Sequence, residues 1–386
     1  MLEVDTTRAR HMLEVDMTRA RDDDACPGAL HVHQAADGAL ARVRLPGGMI
    51  TATQLEALAL AAMQFGSSAM ELTSRGNVQL RGVSDTDGLG EAVAEAGLLP
   101  SPTHERVRNI VASPLTGRRG GLVDVRGLVG RLDAAIQADP ALAELPGRFW
   151  FSLDDGRGDV SGLGADVGAH FLEVDCAALL VAGVDSGVRM AEADVIDTLL
   201  AVARAFLAVR GKAWRTEELD DASTLTAELT VTAEPGTTWP PELRPPVGWI
   251  EQDDGRVSLG AAVPLGVLPA RTAQYLAAID VPLVVTPWRS VLVCDLDEGV
   301  ADVALRVLAP LALVFDADSP WLEVSACTGS PGCAQSVADV RHDAAVAAQE
   351  SVGFHRHFVG CSRACGSPPA GEVLVATPDG YQRRHP

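Results

Sequence analysis

The sequence has almost no lysine. Lys212 is the single lysine among 31 lysine and arginine residues, so nearly every fixed cation is an arginine. Arginine binds carboxylates through two parallel hydrogen bonds and keeps its charge, whereas lysine can shift its pKa and release a proton. The chain is therefore suited to holding anions with permanent charges, and it has little capacity for proton donation by lysine.

Positive charge is scarce overall. The 31 basic residues stand against 52 Asp and Glu, which gives a formal net charge of -21. A chain this acidic is a poor candidate for nonspecific binding to nucleic acid or to an anionic membrane surface, so we expect neither as a partner. Any anionic ligand must instead bind in a locally basic pocket.

Long apolar runs and targeting signals are also missing. No uninterrupted apolar run approaches about 18 residues, and the start has neither the basic segment nor the apolar core of a signal peptide. We therefore expect a cytoplasmic protein. In that reducing compartment the seven cysteines are not expected to form a disulfide framework, and clustered cysteines are better interpreted as metal or cluster ligands.

Two segments of the chain have the same order of predicted elements. Residues 40–83 read as strand, helix, strand, strand, and residues 256–295 repeat that order. Aligning "ELTSRGNVQLRGV" with "VVTPWRSVLVCDL" places Arg75 opposite Arg289. Between the two copies, residues 233–248 carry five prolines and read as a linker. An internal duplication is the simplest interpretation, and it favours a monomer.

A larger α/β stretch is predicted after each copy. Strands are predicted at 107–111, 148–153, 311–316 and 321–325, and helices at 128–136, 195–209 and 334–349. Residues 358–360 lead into a second cysteine loop. A further repeat, between residues 1–10 and 12–21, lies in a tail over residues 1–24 that we predict to be disordered.

Four cysteines form two closely spaced pairs. Cys327 and Cys333 are separated by five residues, Cys361 and Cys365 by three, and 27 residues lie between the pairs. Four thiolates from two loops could bind an iron-sulfur cluster or a structural zinc ion, and the cysteines could also be free or paired thiols. The five-residue gap is wide for a zinc knuckle, and glycines 329, 332 and 366 would leave room for inorganic sulfide, so the pattern favours a cluster. Cys26, Cys176 and Cys294 are isolated and are expected to be small buried hydrophobic residues.

This cysteine spacing resembles the cluster motif of the siroheme-dependent sulfite and nitrite reductase superfamily. Within that superfamily the chain is similar to the precorrin-3B synthases. The segments that carry the resemblance span residues 26–370 and are "ARVRLPGG", "ELTSRGNVQLRGV", "RNIVASPLTG", "LPGRFWFSLDDG", "VPLGVL", "TPWRSVLV", "ACTGSPGCAQS" and "GCSRACGSPPA". The resemblance implies a 4Fe-4S cluster held by Cys327, Cys333, Cys361 and Cys365.

The resemblance also implies the fold, an α+β, duplicated nitrite/sulfite reductase-like architecture. Two ferredoxin-like half-domains are each followed by a larger α/β domain. The expected boundaries are 25–98 for the first half-domain, 99–234 for the first α/β domain, 235–300 for the linker and second half-domain, and 301–386 for the iron-sulfur α/β domain.

Arginines gather at the predicted junctions of strands and loops in both copies. A single arginine there is most often a solvated charge, but the grouping predicts a basic cavity. The resemblance gives the candidates: Arg75, Arg108 and Arg148 at the reacting centre, and Arg75, Asn77, Gln79, Arg81, Arg108, Asn109, Arg118, Arg119, Arg148 and Arg289 as ligands of tetrapyrrole carboxylates. Sulfite reductases have two lysines where this chain has Arg148 and Trp150, and their loss argues against the proton-consuming reduction of sulfite or nitrite.

The reaction that the resemblance implies is oxidative. Precorrin-3A, O2 and reducing equivalents would give precorrin-3B, with a hydroxyl at C20 and a γ-lactone, in cobalamin synthesis. The cofactors would be the 4Fe-4S cluster and a mononuclear non-haem iron, with electrons from a reductase or, indirectly, from NADH. Histidines 31, 33, 342, 355 and 357 are candidate ligands for that iron. Two alternatives stay open: a siroheme-dependent sulfite or nitrite reductase, and a non-catalytic protein that binds a cluster or a tetrapyrrole.

Overall fold

A computed structural model describes residues 24–384. The strands are β1 (His33–Ala35), β2 (Gly38–Val43), β3 (Met49–Ile50), β4 (Ala69–Leu72), β5 (Val78–Val83), β6 (Ile110–Ala112), β7 (Phe151–Asp154), β8 (Val167–Glu173), β9 (Cys176–Val181), β10 (Val184–Met190), β11 (Gly248–Glu251), β12 (Val257–Ala262), β13 (Val267–Pro269), β14 (Leu283–Val285), β15 (Ser290–Leu296), β16 (Val324–Ala326), β17 (Arg356–Val359), β18 (Glu372–Thr377) and β19 (Gly380–Arg384). The helices are α1 (Ala52–Phe65), α2 (Thr86–Glu95), α3 (Arg126–Ala138), α4 (Val195–Val209), α5 (Ala270–Ala277), α6 (Glu298–Leu308) and α7 (Val340–Ala347).

The two predicted repeats each form a five-stranded antiparallel sheet with helices on one face. The first sheet has the order β1-β2-β5-β4-β13 and the second the order β11-β12-β15-β14-β3. Helix α1 begins at a capping box, in which the Thr51 side chain accepts from the backbone N–H of Gln54 and the Gln54 side chain accepts from Thr51. The predicted duplication and the α+β class are confirmed.

Each of these sheets takes its last strand from the other half of the chain. Strand β13 pairs with β4, with Leu268 opposite Met70, and β3 pairs with β14, with Ile50 opposite Leu283. One hydrophobic core accordingly contains buried residues from both halves. Burial of apolar surface common to both sheets joins the two ferredoxin-like units into one body.

A third sheet, β10-β9-β8-β7-β6, follows the first half-domain, and α3 and α4 pack against it. Phe149, Phe151 and Phe206 form its aromatic centre, with ring centroids 5.3 Å apart for the first two and 4.9 Å apart for Phe149 and Phe206. A fourth sheet, β16-β17-β18-β19, follows the second half-domain and is covered by α7. Strands β16 and β17 are parallel, so their carboxyl ends meet at one edge.

Several predicted elements needed correction. Residues 311–316 do not form a strand: a 3-10 turn ends at Leu311, Ala312 is left-handed, and Val314 makes one isolated bridge. In 321–325, a 3-10 helix starting at Pro320 occupies Pro320–Glu323, and only β16 is extended. The helix predicted over 334–349 begins at Val340, because the Asp339 side chain caps it.

Other differences concern boundaries and omissions. The boundary placed at residue 300 falls inside α6, whose buried face packs in the core of the second half-domain. Several elements were not predicted from the sequence: the meander β8-β9-β10, the helices α2 and α6, and the hairpin β18-β19. The repeated start at 1–10 and 12–21 lies outside the described residues. None of the helices within 24–384 is long and apolar enough to cross a membrane.

Candidate functional site

The parallel pair β16 and β17 brings the two cysteine loops together. Ala326 lies opposite Phe358 in the register, and Cys327 and Cys361 follow these strands. The backbone N–H of Cys327 donates to Phe358 O (2.9 Å), and the backbone N–H of Gly360 donates to Cys327 Sγ (3.3 Å). The sequence predicted the loops, and the parallel pairing explains why they share one edge.

The four thiols are free. Burial raises the pKa of the Cys365 thiol, and the negative charges of Cys327, Cys361 and Cys333 raise it further. No three His, Cys, Asp or Glu side chains within residues 24–384 converge closely enough to hold a single metal ion. Four thiols that two neighbouring loops bring together could supply one cysteine ligand to each iron of a 4Fe-4S cluster.

Two glycines of the cysteine loops lie close against neighbouring protein atoms. A Cβ on Gly329 would lie 2.7 Å from Val340 Cγ2, and one on Gly366 would lie 2.9 Å from Arg289 Nη2. Both glycines have a positive φ, +70° and +77°, a region that side chains with a Cβ rarely adopt. Their function is to fold the loops tightly against α7 and against an arginine of the second half-domain.

Arg81 connects the first cysteine loop to the first half-domain. Its Nη2 donates to Gly332 O (2.8 Å), and it forms a two-pronged ion pair with Asp37 (2.8 Å for each bond). Burial lowers the pKa of Arg81, but its bond to Asp37 and the charge of Glu71 outweigh burial and give a net rise. Arg81 therefore positions the loop that carries Cys333.

A cavity of about 250 Å³ lies between the half-domains and the second cysteine loop. Residues of five regions line it: the first repeat (Ser74, Arg75), loops of the third-sheet domain (Trp150, Leu163, Arg215), the linker (Glu242, Leu243, Pro245), the second repeat (Ala262, Val263, Leu265, Gly266, Pro287, Trp288, Arg289), and the fourth sheet with its loops (Trp321, Leu322, Val324, Ser325, His355, Gly366, Ser367, Pro368, Pro369). The cavity thus touches the loop between Cys365 and Pro369.

Two of the predicted arginines line this cavity without a carboxylate partner within the described part of the chain. Burial and the nearby Arg215 lower the pKa of Arg75 to about 9, and its Cζ lies 5.6 Å from the ring centroid of Trp150. Burial lowers the pKa of Arg289, whose Nη2 donates to Gly366 O (3.2 Å). The repeat alignment placed these two residues opposite each other, and both line one cavity.

The other predicted arginines are engaged elsewhere. Arg108 forms a two-pronged pair with Asp133 (2.7 and 2.8 Å), and Arg118 forms one with Asp295 (2.8 and 2.9 Å). Arg148 is exposed, and its Cζ lies 4.9 Å from the ring centroid of Trp214. Arg119 is also exposed. None of these four lines the cavity.

The three predicted amides hold backbone and side chains in place. Asn109 Nδ2 donates to Gly147 O (2.9 Å) and Phe149 O (3.1 Å), and its Oδ1 accepts from Asn77 Nδ2 (3.3 Å). Gln79 Oε1 accepts from Arg42. These bonds satisfy buried polar groups around the first repeat, and none of the three amides lines the cavity.

His355, which immediately precedes β17, and His357, in β17, have their ring nitrogens occupied. Nε2 of His355 and Nδ1 of His357 both lie within hydrogen-bond distance of Ser325 Oγ (2.8 and 2.7 Å), as expected for side chains on one face of a strand. His357 Nε2 bonds Cys365 O (3.0 Å). Burial and the charge of Arg289 lower the pKa of His357 to about 3, so this ring is neutral.

Sequence reasoning missed Arg215 and the tryptophans. Arg215 lines the cavity while its Nε donates to Asp166 Oδ2 (2.7 Å). Three tryptophans line the cavity, out of six in the chain. Trp288 Nε1 donates to Glu242 O (2.8 Å) and so fixes the Pro-rich linker at the cavity. The concentration of a scarce aromatic residue beside prolines was a usable signal.

Comparison with known proteins agrees with this geometry. Residues 31–91 match the nitrite/sulfite reductase ferredoxin-like half domain family. The structure of the NirA protein of Mycobacterium tuberculosis superposes with a TM-score of 0.71 at 18% identity, covering 89% of this chain and 73% of that one. The whole chain thus has a sulfite and nitrite reductase-like fold, and residues 31–91 carry the sequence pattern of its ferredoxin-like half domain.

The relatives with similar sequences are named for two different activities. A precorrin-3B synthase of Sinorhizobium sp is 27% identical over 380 residues, which cover 92% of this chain and 81% of the relative. A ferredoxin–nitrite reductase of Synechococcus elongatus is 35% identical over 127 residues, which cover 31% of this chain and 25% of the relative. The similarity to the synthase is thus nearly full-length, and that to the nitrite reductase is local.

Proposed function

We propose that this protein is a precorrin-3B synthase. It would use O2 and reducing equivalents to hydroxylate precorrin-3A at C20 and close the γ-lactone during aerobic cobalamin synthesis. The observation that carries the proposal is the cavity beside the Cys365 loop. Among the described residues, Arg75 and Arg289 lack carboxylate partners there, and no lysine lines the cavity. The near full-length similarity to a synthase supports the same choice.

The four clustered cysteines would hold a 4Fe-4S cluster. A bound cluster supplies electrons one at a time, which O2 chemistry needs because ground-state O2 reacts poorly with closed-shell organic molecules. Arg81, through Gly332 O, and Arg289, through Gly366 O, fix the two loops that carry the ligands. A mononuclear iron is part of the proposal by resemblance alone, and His355 and His357, already bonded to Ser325, are not proposed as its ligands.

The arginines of the cavity would bind acetate or propionate groups of the substrate. A guanidinium without a carboxylate partner is ready to form two parallel bonds to a ligand carboxylate. The ring of Trp150 holds the guanidinium of Arg75 in place. The bond from Arg289 to Gly366 O would orient the substrate carboxylate that Arg289 binds relative to the cysteine loop. Because arginine does not release its proton at physiological pH, these residues bind and orient the substrate and do not protonate it.

The cavity must widen to admit a complete tetrapyrrole. Its volume of about 250 Å³ is below the roughly 300–1,000 Å³ of sites that enclose drug-sized ligands. The linker at Glu242–Pro245 forms one wall, and the bond from Trp288 Nε1 to Glu242 O (2.8 Å) holds it there. We infer that this wall moves outward when the macrocycle enters.

A siroheme-dependent nitrite or sulfite reductase is the second candidate. The local 35% identity to a ferredoxin–nitrite reductase favours it. An optical spectrum separates the two, because bound siroheme gives a strong Soret band and long-wavelength bands, while a cluster alone gives a broad shoulder in the blue. Lys212, the single lysine, does not line the cavity, which weighs against a reaction that consumes many protons.

The deciding experiment is turnover of the cluster-loaded protein. Anaerobically purified chain receives precorrin-3A, a chemical reductant and ¹⁸O2, and the product is measured by mass spectrometry. We expect the hydroxy-lactone with ¹⁸O in the new hydroxyl. A protein that binds the tetrapyrrole and its cluster but forms no product and takes up no O2 would be the non-catalytic carrier instead.

A further inference from the structure

Cys26 lies in a cluster of arginines, which corrects the prediction that it is an ordinary buried hydrophobic residue. It is half-buried, and Nη1 of Arg42 donates to its Sγ (3.2 Å). Nη2 of Arg44 also donates to this sulfur (3.5 Å). The alternative partner is Gly147 O, 3.2 Å from Sγ, which can accept the proton of a thiol. The two arginine donors favour the thiolate form of Cys26, whereas the carbonyl of Gly147 favours the protonated thiol.

Arg44 is a buried cation that lacks a carboxylate partner among the described residues. Its side chain is 2% exposed, and apart from Cys26 it bonds only the carbonyls of Pro27 and Arg106. The carboxylate of nearby Glu105 is already bonded by three backbone N–H groups and by His31. A buried guanidinium needs a counter-charge, and the Cys26 sulfur is the group in contact that can supply it.

The Arg44 guanidinium also has one N–H donor group that is unpaired among the described residues. Arg44 Nη1 is buried and has no hydrogen-bond partner within residues 24–384. An unpaired buried donor costs free energy, so a native site with one usually has an acceptor to bind. An oxygen atom attached to the Cys26 sulfur, or about to react with it, would be such an acceptor.

The charges that face Cys26 from all sides favour the thiolate. Burial raises the pKa of the Cys26 thiol, and Asp24, whose carboxylate bonds the Cys26 backbone N–H, raises it further. Arg42, Arg44 and Arg75 lower the pKa, and they outweigh the other contributions, so the net pKa lies below the ordinary value of a thiol. The thiolate is the nucleophilic form of cysteine.

We propose that Cys26 is a redox modification site, at which a small peroxide oxidises a thiolate held between Arg42 and Arg44. The sulfur attacks one oxygen of hydrogen peroxide, an S–O bond forms, and the O–O bond breaks. The thiolate loses two electrons and becomes a sulfenic acid, while the second oxygen leaves as hydroxide, which the buffer protonates to water. The unpaired Nη1 of Arg44 is the donor for the oxygen that stays on sulfur.

Oxidation of Cys26 would affect Arg75, one of the arginines that line the cavity. Arg75 lines the cavity, and the negative charge of Cys26 raises its pKa against burial and Arg215. Oxidation replaces the thiolate by a larger sulfur–oxygen group and so changes the electrostatic surroundings of Arg75. The inference does not depend on the proposed reaction, because it concerns the chain without any tetrapyrrole.

The test maps sulfenic acid in the full chain after exposure to hydrogen peroxide and dimedone, by peptide mass spectrometry. Cys176 is the internal control, since it is also a half-buried free thiol outside the clustered pairs. We expect dimedone labelling of Cys26 to be at least about tenfold faster than that of Cys176. Similar rates at the two residues would overturn the proposal.

The arginines are tested separately from folding. The rate of Cys26 alkylation by iodoacetamide is followed against pH in the wild type, in Arg42→Gln and in Arg44→Gln, with circular dichroism to confirm the fold. We expect the midpoint to move to higher pH in both variants, with peroxide oxidation at pH 7 slowed about tenfold. If Arg44→Gln does not fold, Arg42→Gln alone decides, and an unchanged midpoint in a folded variant would refute the role of the arginines.

Discussion

At the scale of single residues, the partner of each arginine decides what that arginine can do. Arg108 and Arg118 are committed to Asp133 and Asp295, whereas Arg75 and Arg289 contact an indole ring and a carbonyl. An arginine already paired with a carboxylate gains little from a second anion, and an arginine without one gains the full charge-assisted bond. Tetrapyrrole binding is therefore expected to depend on the second pair.

The Arg75→Ala variant tests this distinction, with Arg148→Ala as a matched control. Arg148 also stacks on a tryptophan, but it is exposed and does not line the cavity. We expect Arg75→Ala to weaken binding of an octacarboxylic tetrapyrrole such as uroporphyrin about 10- to 100-fold through the lost bidentate bond. Fluorescence titration measures the affinity, and equal effects of the two variants would contradict the assignment.

Asp159 predicts a pH dependence of stability. Burial and the neighbouring Asp154 raise the pKa of Asp159 to about 7, against 3.8 for the unperturbed group. Between about pH 4 and 7 the folded state therefore holds a proton that the unfolded state has released, so the free energy of unfolding falls as pH rises. Asp159→Asn removes this contribution and can still accept the hydrogen bond from Ser113 Oγ.

We expect Asp159→Asn to be about 1–3 kcal/mol more stable than the wild type at pH 8 and nearly equal to it at pH 4. Urea unfolding at both pH values measures the difference. The exposed Asp220→Asn is the control, because it makes the same change of charge outside a buried site. A gain in Asp159→Asn that did not depend on pH would show that the carboxylate is not the cause.

How much of the site could be predicted from sequence differs between cysteines and arginines. The spacing of Cys327, Cys333, Cys361 and Cys365 identified four thiols that the structure brings together. The arginines could not be sorted, because some of their partners, such as Asp295 for Arg118, lie on elements distant in the chain. A motif fixes local geometry, but a long-range ion pair depends on the packing of whole elements.

At the scale of elements, the second cysteine loop and Arg289 are fitted to each other. Gly366 has φ +77°, its carbonyl accepts from Arg289 Nη2, and an added Cβ would lie 2.9 Å from that nitrogen. The loop therefore sets the position of a cavity cation as well as carrying Cys365. Gly353 has nearly the same conformation, with φ +79°, and has nothing within 4 Å of an added Cβ.

This pair of glycines gives a controlled experiment. Gly366→Ala and Gly353→Ala both place a side chain in the left-handed region, which costs about 1–2 kcal/mol in each. Only Gly366→Ala also displaces Arg289, so we expect it alone to weaken tetrapyrrole binding, by about tenfold. Thermal unfolding checks that the two variants are destabilised alike, and similar affinities would show that Arg289 does not need its place beside Gly366.

At the scale of the whole molecule, the two ferredoxin-like units are joined by exchanged strands. The duplication was predictable, because each repeat has its own periodicity. The exchange of β3 and β13 was not, since two- and three-residue strands carry almost no pattern and their partners lie about two hundred residues away. Each unit therefore completes its sheet only when the other is folded, and the described chain is expected to unfold cooperatively.

Leu268 in β13 tests that cooperativity, because it belongs to the second repeat by sequence and to the first sheet by pairing. It is fully buried opposite Met70, so Leu268→Ala should cost about 2–5 kcal/mol through the cavity it leaves. If the halves unfold together, native-state hydrogen exchange will show equal losses of protection in β5 and in β15. Loss confined to one sheet would mean that the halves unfold separately. The partly exposed Leu172→Ala, on β8, should change neither.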